Sequence, residues 1–149
     1  MSIFSVLVIV HALAATVWTG GHLLLDLGVL PKALREQSAQ RIREFEALFE
    51  PLGLTALAIQ VVTGFWMGWI YLPSGQGLFQ PDNPIGILVG TKLVLLAATA
   101  GLAIHARLRL IPQLNDSNLN GLAWHIRVIT ALAIAFVVVG ALIRLGGLS

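Results

Sequence analysis

The sequence predicts an all-α integral membrane protein, a four-helix bundle with both termini on the outer, periplasmic side. Composition is the first reason: 57% of residues are hydrophobic and 11% charged, whereas a soluble domain carries about 25% charged residues. A mean hydropathy of +0.88 agrees. The second reason is length. Crossing the hydrocarbon takes about 20 apolar residues in helix, and segments at about 3–30, 47–72, 85–111 and 122–145 qualify. The third is where Lys and Arg fall.

The first span is expected from Ile3 to Leu30, closed by Pro31. Ala12-Leu13-Ala14 imitates a signal-peptide cleavage site, but no basic region precedes it and the apolar run continues through Leu25. Leu34 to Leu48 reads as a short amphipathic cytoplasmic extension of the second helix. Glu50-Pro51 is expected in the first turn of that span, where proline is tolerated and a carboxylate suits the helix N-terminus. Pro73-Ser74-Gly75 ends it, and Leu72 to Pro84 forms an outer cap. Asp82-Asn83-Pro84 starts the third span. Pro112 and the polar run Asn115-Asp116-Ser117-Asn118 end it. The chain is read as one domain over residues 1–149.

Orientation follows from the basic residues. The first connection holds Lys32, Arg35, Arg41 and Arg43, the second holds none, and the third region holds Arg107, Arg109 and Arg127. The positive-inside rule puts the first and third in the cytoplasm. Arg144 opposes this but can snorkel. Trp69, Tyr71 and Phe79 suit an outer interfacial belt and Trp124 an inner one. The expected location is the bacterial inner membrane, multi-pass, with the lipid bilayer as the first partner.

Several classes are excluded. There is no cysteine, hence no disulfide, thiolate metal site or iron–sulfur cluster. A net charge of +2 without a basic run argues against a nucleic-acid partner.

Function is sought among the polar residues inside the spans, because ionisable groups are costly in hydrocarbon and mark sites. They are His11, His22, Asp26, Gln60, Lys92, His105 and His125, which include all four histidines. His11 and His22 are eleven residues apart, so they differ by roughly 20° around one helix face and by about 16 Å along its axis. Lys92 falls at the depth of His11. His22, His105 and His125 are expected to converge in the cytoplasmic half. Histidine is the usual axial ligand of b-type haem, and bundles place cofactors between facing helices. Gly20, Gly21, Gly64, Gly68, Ala98 and Gly101 would admit a porphyrin plane, and Arg107, Arg109 and Arg127 would pair with propionates. Copper is the alternative, since imidazole suits Cu(II), although the thioethers that favour Cu(I) are scarce, at Met1 and Met67. A hydrogen-bonded packing role is the plain alternative for any one histidine. Gln60 and Thr63 are read as interhelical hydrogen bonders. Gly64-x-x-x-Gly68 and Gly86-x-x-x-Gly90 are read as helix-packing faces within the chain or in a homodimer.

The first helix reads His11-Ala-Leu-Ala-Ala-Thr-Val-Trp18-Thr-Gly20-Gly21, followed by Leu30-Pro31-Lys32. This resembles the first helix of the copper-resistance D (CopD) family. It is also similar to the HemJ-type protoporphyrinogen oxidases, and Thr91-Lys92-Leu93 through His105 resembles a second HemJ helix. The HemJ resemblance implies b-type haem on His11 with Lys92 as partner, and oxidation of a porphyrin. This chain departs from that family at His22 and at the start of the fourth helix. The CopD resemblance implies copper uptake or resistance through membrane histidines. The combined expectation is a haem b-binding CopD-like protein, holding one or two haems and serving electron transfer with an unidentified redox partner. His11, His22, His105 and His125 are its candidate metal ligands, and Lys92, Arg107 and Arg127 further cofactor-binding residues.

Overall fold

The computed structural model describes residues 2–146. Met1 and the last three residues of the expected domain lie outside the described residues. Four helices are long and apolar enough to cross a membrane: α1 (Ile3–Glu36), α2 (Ala39–Tyr71), α3 (Pro84–Leu110) and α4 (Leu119–Leu145). All described secondary structure is helical. Lipid offers no partner for bare backbone groups, so each spanning segment satisfies them within its own helix.

The two ends of the bundle differ. One, the terminal end, holds the start of α1, the end of α4 and the Leu72–Asn83 connection. The other, the turn end, holds the connections at Gln37–Ser38 and Ile111–Asn118.

The helix limits correct several expectations. Pro31 does not close α1, which runs on to Glu36. A proline ring clashes with the carbonyl four residues back. Here a π-helical turn at Leu25–Val29 precedes it, and the Leu30 amide donates to Leu25 O, five residues back. The wider turn shifts the register, and the helix continues past the proline. Gln37, in the left-handed region at φ 49°, then stops it. Leu34 to Glu36 therefore end α1 rather than begin an extension of α2, and α2 starts at Ala39. Pro51 lies inside α2, not in its first turn. A second π-helical turn, Ala106–Leu110, closes α3, with the Ile111 amide donating to Ala106 O at 2.8 Å. α4 begins three residues earlier than expected, at Leu119 rather than Leu122.

Capping follows the residue types. Asn83 Oδ1 accepts the Gly86 amide at 3.0 Å, with Pro84 in the first turn of α3. Asp116 Oδ1 accepts the Ala39 amide at 2.8 Å, and Arg43 Nη2 donates to Leu114 O at 2.8 Å. These two bonds tie the turn-end connections together. Beneath them sits a packed cluster that includes Leu30, Ala33, Ile42, Leu119 and Leu122. A second, smaller cluster at mid-bundle joins Ala14, Trp18, Ala56, Ile129 and Ala133. Outward positions are apolar too: Leu27, Leu48, Val62 and Leu145 are all exposed. A membrane bundle shows this pattern because lipid tails are as apolar as the core.

Gly86 and Gly90 are a further correction. A Cβ at Gly86 would stand 1.9 Å from Gly77 O, and one at Gly90 would stand 2.4 Å from the Phe79 ring. These glycines admit the Leu72–Asn83 loop, which folds back onto α3, rather than a neighbouring helix.

α1 packs against α2, α3 against α4, and α1 against α4, whereas α2 and α3 barely touch.

Candidate cofactor cavity and the histidines

Two helices fix His11. α1 carries it toward α2, where its Nδ1 lies 2.8 Å from Thr63 Oγ1. The Thr63 hydroxyl has a single proton and gives it to Ile59 O at 2.6 Å. At His11 the hydroxyl must therefore accept, so Nδ1 carries the ring proton and Nε2 is bare. Gly64 is needed beside the ring, since a Cβ there would lie 3.2 Å from His11 Cε1. Metal-binding histidines commonly have their second nitrogen held in this way.

His11 lines a cavity of about 630 Å³ in the terminal half of the bundle, shared by all four helices. Ligand pockets span roughly 300–1,000 Å³. The walls are mainly apolar, with Gly20, Gly64, Gly68 and Gly140 leaving room. Lys92 and Arg144 bring positive charge, and Gln60 also lines the space. Lys92 Nζ lies 5.9 Å from the Phe136 ring centroid. Among the described residues no carboxylate pairs with Lys92. Gln60 Nε2 is buried without a hydrogen-bond partner, so the expected interhelical bond forms at Thr63 and not at Gln60. A buried amide donor left unpaired costs about 1–3 kcal/mol, which an acceptor on an occupant would recover.

His22 lies on the same face of α1, as expected, but in different surroundings. Its Nδ1 donates to Trp18 O at 2.8 Å, which leaves Nε2 bare. Its ring packs 4.3 Å from Trp18 and 5.9 Å from Phe49. Phe49 also fills the space beside Gly21, where a Cβ would stand 2.0 Å from the ring. Aromatic rings therefore occupy the space that a porphyrin would need there.

His105 and His125 do meet, with ring centroids 5.2 Å apart. His125 is buried, and its Nε2 donates to Leu102 O at 3.0 Å. His22 is not brought to this pair, and among the described residues no group of three potential metal ligands forms. Arg107 pairs with Glu50 of α2. Arg109 and Arg127 are exposed. Asp26 lies on the π-helical turn of α1, away from the cavity lining. Sequence reasoning missed Phe49 and the Glu50–Arg107 pair. Both are contacts between helices remote in sequence, and no spacing signals them.

A family model described as Copper resistance protein D matches residues 43–143. The chain belongs to the copper resistance protein D family. The match spans most of α2, all of α3 and most of α4. Lys92, His105, Arg107, His125 and Arg127 of this family member lie inside it, while His11 and His22 on α1 lie outside. No curated protein and no solved structure matches the chain. The sequence and the four spanning helices make it a multi-pass membrane protein of that family.

Proposed function

We propose that this CopD-family chain binds one b-type haem in the terminal half of the bundle and serves electron transfer or redox chemistry in the membrane. One observation carries the reading. His11, its Nδ1 held by Thr63, lines a 630 Å³ apolar cavity. In this reading His11 would hold the iron, and Lys92 and Arg144 would pair with the carboxylates of the porphyrin. Gln60 Nε2 donates to the occupant, and the apolar walls exclude water. Bound haem supplies one-electron chemistry whose potential depends on the axial ligand and on burial. The filling of the His22 region by Trp18 and Phe49 favours one haem over two. The distribution of Lys and Arg supports the terminal end facing the periplasm and an inner-membrane location.

The family description and the His105–His125 pair favour a second reading, in which copper is the cargo. Two imidazoles, one with a nitrogen committed to Leu102 O, suit a passing ion better than a resident one. The test is an optical spectrum of the detergent-solubilised protein, oxidised and then dithionite-reduced, with iron and copper measured on the same sample. A Soret band with α and β bands that sharpen on reduction, at one iron per chain, is the expected result. A colourless protein with stoichiometric copper would transfer the function to the histidine pair.

A further inference from the structure

The cavity is walled by all four helices and closed by side chains at each end. Trp18 and Leu57 form its floor as parts of the mid-bundle cluster. Toward the terminal end, Phe4 sits edge-on to Tyr71 with centroids 5.5 Å apart, and Arg144 Cζ lies 5.5 Å from the Phe4 ring. Tyr71 and Arg144 also line the cavity, so this group caps the end nearest water. α1 and α4 meet where the Thr130 hydroxyl, bonded to Ile126 O at 2.9 Å, also lies 3.3 Å from His22 O, and where Thr19 Oγ1 donates to Ala133 O at 3.5 Å. α2 and α3 have no such packing. They approach at Gly68, where a Cβ would lie 3.9 Å from Val89 Cγ1, and are joined by the Glu50–Arg107 pair at the other end. Between those points Gln60, Val61, Lys92 and Leu96 of the cavity wall flank the seam.

We propose that the occupant enters sideways from the hydrocarbon layer through the α2–α3 seam, so the ligand class is a flat, membrane-dissolved amphiphile. This rests on the haem reading of the cavity. Parting two helices costs little when each exchanges the other's apolar surface for lipid tails of equal polarity. An apolar ligand arriving through the seam also passes from one dry environment to another.

The chain has no cysteine, so a pair introduced at the seam reports cleanly. Gly68→Cys with Val89→Cys sets two thiols facing each other across the seam, where a Cβ at Gly68 would lie 3.9 Å from Val89 Cγ1. The full chain, stripped of haem, is reconstituted in phosphatidylcholine vesicles already loaded with haemin, and growth of the Soret band is followed. The oxidised, cross-linked protein should load at least severalfold more slowly than the same protein after reduction, while haem bound beforehand is retained equally by both. Equal loading rates would overturn lateral entry and leave the haem reading intact. Failure of the reduced protein to bind haemin, with wild type also failing, would overturn the haem reading itself. Should the disulfide not form, a short bis-maleimide bridging the same two thiols closes the seam instead. It should slow loading in the same way, and a wild-type rate would overturn the proposal.

Discussion

The two ends of the bundle use the same residue type in opposite ways. At the terminal end, His11 stands beside glycines and open space, with its tautomer set by a threonine and two cations on the same wall. Toward the turn end, His22 packs against Trp18 and Phe49 and the buried His125 against the exposed His105, and the packed turn cluster lies just beyond. A histidine becomes available for ligation when its neighbours are small and its second nitrogen is held. It becomes a packing group when aromatic rings fill the same volume. Two glycines side by side in sequence show the contrast: nothing lies within 4 Å of a Cβ at Gly20, while at Gly21 the Phe49 ring is already there.

The largest expected effect is on that contrast. His11→Ala should abolish the Soret band of the purified protein, while His105→Ala should keep it at full iron stoichiometry. The reverse outcome would move the cofactor to the turn end. Next, Thr63→Val removes the acceptor that fixes the His11 tautomer. Loss of such a partner typically weakens metal binding about 10–100-fold, which haem titration of the stripped protein would read, with the folded fraction unchanged by gel filtration. Third, Gly21→Ala should destabilise by about 1–3 kcal/mol, the usual cost of overpacking, because the Phe49 ring must move. Gly20→Ala should not lower the midpoint of thermal unfolding in detergent, and a gain of up to about 1 kcal/mol is expected from helix propensity alone. Equal effects at the two positions would erase the difference between the ends. The smallest effect belongs to Glu50→Gln. The Glu50–Arg107 pair is part-exposed, and such pairs contribute about 0–1 kcal/mol. Its loss should shift unfolding slightly and leave the cofactor spectrum unchanged.

Spans were legible in the sequence because hydrophobic length and proline, glycine and asparagine punctuation are local. Their ends were less so. Pro31 and Pro51 both look like boundaries, yet one is passed through a π-helical turn and the other is absorbed inside a helix. A proline signals a lost donor and a clash, not how a neighbouring turn relieves them. Gly86 and Gly90 likewise carried the spacing of a helix-packing motif but serve a loop folded back by Phe79. For the site, depth along a helix was readable, and it set Lys92 level with His11 in the same cavity. Rotation was not, so the expected convergence of His22 with His105 and His125 became a pair of two.

By itself the sequence determined that this chain lies in a membrane, crosses it as four helices, and holds a handful of polar side chains within the spans. Those conclusions follow from the cost of charge and bare backbone in hydrocarbon, which each segment meets alone. Only the tertiary structure decided which histidine faces open space and which is walled in. That choice depends on side chains from other helices, Thr63, Phe49 and Leu102, whose positions follow from packing at distances no local pattern encodes.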